Sequence, residues 1–588
     1  MTEKDQNKKK LRVIAVVIAI ICTFLVFNVS ATQFLAWYFQ YSPTLGEPLL
    51  NGLYFPFNWI EWSSLYYSFH SNFFNFYFLG LFVSAILLIS FGVLIKMSIQ
   101  RRLKSIETLH GSAHWATKRE IEEMGLLGNE NGVFVGGWKE NNTLHYLKHN
   151  GAEHLICIAP TRSGKGIGII IPTLLNWNES LLCIDIKGEN YALSAGFRKK
   201  YFNNRVMFFN PTDTTDKGVK FNPLEEIRID SDYEVSDSQN IAKILLYRGI
   251  SDNGKDMYFK DEGFTFLTAI FLYALKNARK KDLACPCLGD IYKIINDPQN
   301  QIDEVLEEML NNENETISSV ARSMLNKAES EKSGVIGTAT AALNLYIDPI
   351  INKNTNKSDF KINDLVNGSN PSSLYIIIPP NDIKRLQPLF NLICNQIFSI
   401  LTRDGMDFSD SQGSSKHKYR LLGMLDEVAA LGKIDIIESG IAYLAGYGIK
   451  LFLAIQDISQ LNHIYSQNNS IVSNCHIRIC YAPNTNATAK LISDMAGTTT
   501  IIKKQITKSG KSTNLYMNSI SETMQEISRP LITIDEVMRI KSAKKKDGKV
   551  IEAGDMIIFI AGNAPIYGKQ TLFFKDEILL ARSQVKLH

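Results

Sequence analysis

The sequence predicts an α/β fold: a mostly parallel sheet with both faces covered, an all-α insertion, and an N-terminal two-helix transmembrane anchor. Three observations predict it. Two uncharged apolar runs lie within the first 95 residues. Seven short apolar segments then alternate with helical stretches, the pattern of buried parallel strands. Between 230 and 363 that alternation gives way to amphipathic helical periodicity. The chain has 588 residues, 45% of them hydrophobic and 21% charged, with a formal net charge of +4. That length implies several domains. The composition argues against a long disordered chain and a wholly membrane-embedded transporter. The small net charge argues against a general nucleic-acid coat while leaving room for a local basic pore.

The apolar runs come first in order. Residues 13–29 read VIAVVIAIICTFLVFNV and residues 73–95 read FFNFYFLGLFVSAILLISFGVLI. Each is near the ~20 residues that cross a bilayer. The first run follows a basic segment, as in a signal peptide, but no small-residue cleavage site follows it, so an uncleaved anchor is expected. Lys4, Lys8, Lys9, Lys10 and Arg12 precede the first run, and Lys96, Arg101, Arg102 and Lys104 follow the second. The loop 30–72 has no Lys or Arg and is rich in Trp and Tyr, as expected of interfacial side chains. The positive-inside rule therefore places both termini in the cytoplasm and the loop outside. Residues 1–104 are read as the anchor and 105–150 as a connector with a helix-prone stretch at 117–125.

The body follows. Strands are expected at 155–159, 181–186, 206–209, 374–378, 421–425, 451–455 and 477–481. Helices are expected at 261–279 and 302–311, and polar loops at 352–358 and 407–418. The sheet domain thus spans 151–229 and 364–588, interrupted by an all-α domain at 230–363. The 8 Cys form no CxxC pair and mostly sit in apolar runs, which reads as buried thiols in a reducing compartment. Cys285 and Cys287 lack nearby His or Cys partners, so no zinc site is expected there.

The chemistry lies after the first strand of the body. Ala159, Pro160, Thr161, Arg162, Ser163, Gly164, Lys165 and Gly166 follow an apolar strand and precede a helix-like run. That is the context of a phosphate-binding loop, in which backbone N–H groups and a helix N-terminus face the phosphates. Lys165 supplies charge to the β- and γ-phosphates. Two departures matter. Ala159 replaces the first glycine, which requires a negative φ. Gly166 replaces the hydroxyl residue that ordinarily ligates Mg2+, leaving the metal to water and a distant carboxylate. That carboxylate is expected in Asp426, at the end of the strand LLGML, where it holds Mg2+ while Glu427 polarises the attacking water. Together the two motifs point to ATP hydrolysis. Gln456, ending the next strand, either senses the γ-phosphate or caps a loop. Asp185, in the turn DIKGE at the same sheet edge, contacts nucleotide or a neighbouring subunit, or is a charged surface turn.

These segments carry a resemblance. APTRSGKG, DIKGE, LLGMLDEVAALG and AIQDISQL, with GSAHWA at Gly111, resemble the TraG/TraD family of type IV secretion coupling proteins over essentially the whole chain. The resemblance implies a RecA-like P-loop ATPase domain using ATP and Mg2+. It implies a homohexamer in the bacterial inner membrane that takes DNA–relaxase complexes or effector proteins to the secretion channel. It also implies that the all-α domain reads those substrates. Some relatives have an arginine shortly before the strand that carries the sensor glutamine. Here the stretch 444–450 has none, and Arg478 is a candidate trans-acting finger or a solvated strand residue.

Three classes of function remain: an ATP-driven coupling protein, a membrane-anchored DNA translocase without a secretion partner, and a non-catalytic docking scaffold. The short external loop and the coupling-protein motifs favour the first. Retention of Lys165, Asp426 and Glu427 together argues against the third. Basic segments at 503–511 and 544–546 are candidates for contact with DNA, or solvated faces.

Overall fold

The computed structural model describes residues 3–107, 110–247, 254–299, 301–403, 406–407, 414–508 and 520–587. The chain forms two compact units, Met1–Leu109 and His110–His588.

In the first unit, helices Glu3–Tyr38 and Ser71–Glu107 flank a short helix, Asn58–Tyr66. Leu35, Trp62, Phe74 and Tyr77 form a small aromatic core. Asn28 accepts the Trp59 indole N–H at 3.0 Å, and Thr32 donates to the Pro56 carbonyl at 2.7 Å. Part of the loop's aromatic content therefore packs inward, while Trp37 stays exposed. Among the described residues one window, Ile21–Tyr38, is long and apolar enough to cross a membrane, and the apolar stretch Ser71–Leu87 is shorter. The side chains of residues 1–20 lie outside those described, so the first expected span falls partly outside them.

The second unit is built on one eleven-stranded sheet. In chain order its strands are β1 Val133–Glu140, β2 Thr143–His149, β3 His154–Ile158, β4 Ser180–Asp185, β5 Arg205–Phe209, β6 Ser372–Ile377, β7 Leu421–Leu425, β8 Ile449–Ile455, β9 Cys475–Cys480, β10 Asp555–Ile560 and β11 Ile566–Lys569. Their spatial order is β2-β1-β11-β10-β9-β3-β8-β7-β4-β6-β5. From β9 to β5 every neighbouring pair is parallel. From β9 to β2 every pair is antiparallel. The parallel strands are those the apolar segments predict. Their alternation divides between two cores: Ile156, Leu182 and Leu453 face one, and Leu155, Leu181 and Phe452 face the other. A strand covered on both faces reads as a continuous apolar run.

Among the described residues eight α-helices fill the stretch between β5 and β6, from Glu234–Leu246 to Asp364–Asn367. The longest, Gly254–Lys280, is sheathed by Glu315–Leu325 and Glu329–Leu343 and buries Phe266, Ile270 and Phe271. The expected polar loop at 352–358 is partly helical, because Asp348 caps the helix Pro349–Asn354 through the Ile350 N–H. In the expected loop at 407–418, residues 408–413 lie outside the described residues. The basic segment 503–511 runs along an antiparallel hairpin, Thr498–Lys508 with Ile520–Pro530, and its last three residues, 509–511, lie outside the described residues.

Candidate functional site

All the carboxyl ends of the parallel strands open on one edge, where open α/β sheets place their ligands. β3 delivers the phosphate-loop sequence there. Its exit is fixed on both sides: the Ala159 N–H donates to the Ile455 carbonyl of β8 at 2.9 Å, and the Tyr481 N–H donates to Ile158 at 3.0 Å. Ala159 and Pro160 are buried, whereas Thr161 and Arg162 form the exposed crest. Ala159 lies outside the positive-φ region, as replacement of the first glycine requires, while Arg162 and Gly164 have φ of 58° and 97°. A π-helical turn, Gly166–Ile170, follows and runs into the helix Ile171–Leu174. Such turns recur at functional sites.

Asp426 and Glu427 end β7, two strands from β3. The Lys165 Nζ lies 2.7 Å from Asp426 Oδ1 and 3.9 Å from Glu427 Oε2. Burial works to lower the Lys165 pKa, but the charge and hydrogen bond of Asp426, aided by Glu427, carry it above its ordinary value. Glu427 also lies above its ordinary range: burial raises its carboxyl, and the hydrogen bond from Gln456 and the charge of Lys165 only partly offset this. Gln456, ending β8, donates from Nε2 to Glu427 Oε2 at 2.7 Å. Four residues singled out from the sequence thus meet in one contact chain.

Asp185 has a different setting. It is 2% exposed, and its oxygens accept the N–H groups of Lys187, Gly188 and Tyr191 at 3.3, 2.9 and 2.8 Å. Burial raises its pKa against those three bonds. Its carboxylate is spent on shaping the turn and the start of the helix Glu189–Tyr201. Arg478 is also engaged within the chain, donating to the carbonyls of Val472 and Cys475 at 3.1 Å. Lys450, in the arginine-free stretch, is buried at the opposite end of β8, 2.7 Å from the Gly151 carbonyl, and burial pushes its ammonium down to about 7.

Two residues invisible to motif reading line the loop. Gln570 places Oε1 3.6 Å from where a Cβ on Gly164 would stand. The Thr571 hydroxyl donates to the Gly168 carbonyl. They lie some 400 residues downstream of the loop, and no local pattern links them to it.

The loop fits a phosphorylated ligand and a metal. Ser163 Oγ is buried with no hydrogen-bond partner among the described residues, a donor left for a ligand. A side chain at Gly166 would meet nothing within 4 Å, so space is open where an ordinary loop carries its metal-binding hydroxyl. Asp426 is the acid nearest the Lys165 ammonium of the same loop.

Residues 104–587 match the family described as type IV secretory system conjugative DNA transfer. The chain belongs to that family. It is 40% identical to the conjugal transfer protein TraG of Escherichia coli over 583 residues, covering 95% of this chain and 90% of TraG. It is 27% identical to protein VirD4 of Rhizobium radiobacter over 488 residues, 80% of this chain and 64% of VirD4. Among solved structures it is similar in fold to the unbound bacterial conjugative coupling protein TrwBdeltaN70, with TM-score 0.55 and 14% identity, covering 78% of this chain and 91% of that one. The plasmid coupling protein TrwB in complex with ADP and Mg2+ is similar at TM-score 0.54 and 14% identity, with coverages of 78% and 93%.

Proposed function

We propose that this protein is a membrane-anchored ATPase that recruits DNA or protein substrates and delivers them to a type IV secretion channel. The observation that carries the reading is the convergence of Lys165, Asp426, Glu427 and Gln456 on one phosphate loop in a chain of this family. The names of its TraG and VirD4 relatives, and TrwB's complex with ADP and Mg2+, support the substrate and the metal.

In this reading the backbone from Ala159 to Gly166 cradles the phosphates of ATP, and Lys165 turns from Asp426 towards them. Asp426 would hold Mg2+, and the metal when bound would neutralise charge on the phosphate oxygens. Glu427 orients the attacking water, and its raised pKa makes it a better proton acceptor than an exposed carboxylate. Gln456 holds Glu427 until the terminal phosphate competes for its amide. Residues 1–104 form the anchor with two spans, and both termini are cytoplasmic. The nucleotide-binding domain spans 151–229 and 364–588, the all-α domain spans 230–363, and the working assembly is a homohexamer.

Mg2+-dependent phosphate release by the full-length detergent-solubilised protein tests this reading. Hydrolysis lost on Asp426→Asn is the expected result. A wild type without ATP hydrolysis would overturn the reading.

A further inference from the structure

A small β-hairpin beyond the nucleotide site carries charge that it does not balance. Strands Lys544–Lys546 and Lys549–Glu552 pair antiparallel around Asp547 and Gly548, whose φ of 51° and 76° suit a tight two-residue turn. The register sets Lys546 directly opposite Lys549. Like charges facing each other across a ladder weaken the pair. Glu552 already takes Lys541 at 3.1 Å and Lys544 at 2.7 Å. Among the described residues Lys545, Lys546 and Lys549 have no ion-pair partner, and all three are exposed. Nothing in the hairpin's own packing offsets the repulsion, whereas an anion lying along it would.

The hairpin base is tied to the phosphate loop. The Asp555 N–H donates to the Lys541 carbonyl at 2.7 Å, and a Cβ on Gly554 would stand 2.6 Å from that carbonyl, so the two strand ends are closely locked. Gly554 then exchanges two hydrogen bonds with Gln570, at 2.9 and 3.2 Å. Gln570 is 2% exposed and lies against Gly164. A continuous packed path therefore joins the lysines to the phosphate loop.

We propose that this hairpin grips the phosphodiester backbone of a nucleic-acid substrate through Lys545, Lys546 and Lys549. The inference rests on the reading of the chain as a translocating ATPase and names the surface that holds its polyanionic cargo. A polyanion suits three unpaired ammonium groups on one short ribbon, since each neutralised phosphate releases counterions. A lipid surface suits it less, because the turn carries Asp547 and one apolar side chain, Ile551, is exposed.

The test is fluorescence anisotropy of a labelled single-stranded oligonucleotide with the full-length solubilised protein, titrated at several salt concentrations. The triple variant Lys545→Ala/Lys546→Ala/Lys549→Ala removes the repulsion along with the charge, so the hairpin keeps its fold. Affinity should fall at least tenfold, and the slope of log affinity against log salt should flatten by about 2, at roughly 0.7 for each phosphate left without its ammonium. The corresponding triple arginine variant should bind like wild type. Unchanged affinity and slope in the alanine variant would overturn the proposal. So would a loss of binding to anionic vesicles with oligonucleotide binding intact. A wild type that fails to hydrolyse ATP would instead sink the ATPase reading. The two failures are therefore distinguishable.

Discussion

The Gln456 side-chain amide donates to Glu427 Oε2 across 2.7 Å, and that same oxygen lies 3.9 Å from the Lys165 ammonium. Three strands are thereby joined through one carboxylate. Glu427 also holds φ at 72°, a left-handed backbone that costs a non-glycine residue about 1–2 kcal/mol. The burial of Glu427 raises its pKa, and Gln456 lowers it part of the way back. Gln456→Ala removes that offset, so the carboxylate should be lost at a higher pH. The acid limb of the kcat–pH profile should then move upward, while nucleotide affinity changes little. An acid limb that stays in place would separate the two residues functionally.

Lys165→Ala takes away the ammonium between Asp426 and Glu427 and leaves two acids facing each other. Nucleotide binding should weaken by at least tenfold, and turnover should fall by about 10²-fold or more, as for loss of a charge stabiliser aimed at a developing anion. Titration with a fluorescent nucleotide and a phosphate-release assay read the two effects separately. Binding equal to wild type would remove Lys165 from the phosphate site.

Two glycines of the loop should answer oppositely to a small side chain. Gly166→Ser enters open space and supplies a hydroxyl for Mg2+, so nucleotide affinity in Mg2+ should hold or tighten. In Gly168→Ala the new methyl would stand 2.8 Å from the Thr571 carbonyl and 3.0 Å from the Tyr481 hydroxyl. Such overpacking costs about 1–3 kcal/mol, and the melting temperature should drop by about 1–3 °C, at ~2.1 cal/mol/K of unfolding entropy per residue. Equal melting temperatures for Gly168→Ala and wild type would show that the loop helix is not clamped by Thr571.

The parts of the site that end apolar strands were legible in the sequence. Lys165, Asp426 and Gln456 each follow a strand buried on both faces, so the strand's uninterrupted apolar run marks the position of the polar residue after it. The antiparallel edge was not legible. β1 carries Gly136 and Gly137 in mid-strand, where a Cβ would press on Met556, Ile558 or Leu144, and glycine hides the strand's propensity. Gln570 and Thr571 reach the loop only because β10 and β11 fold back beside β9. Asp185 was open in the sequence between a ligand contact and a charged turn, and its carboxylate accepts the Gly188 and Tyr191 N–H groups of its own turn.

The topology of the first unit is open to a direct check. A reporter inserted within 42–52 should be active outside the cytoplasm, and one fused after His588 should be active inside. A C-terminal reporter found outside would contradict the two-span anchor.

The most direct measurement of the central claim, that ATP turnover drives delivery of bound cargo, is transfer to recipient cells by Glu427→Gln at matched expression. The change keeps the side chain's shape and the Lys165–Asp426 pair but removes the carboxylate that the proposed function assigns to orienting water. Removing such a group slows catalysis by about 10²–10⁴-fold. ATP binding and cargo co-purification should therefore persist while transfer falls by at least two orders of magnitude. Transfer at the wild-type rate, with hydrolysis abolished, would contradict the account and leave the protein a docking scaffold.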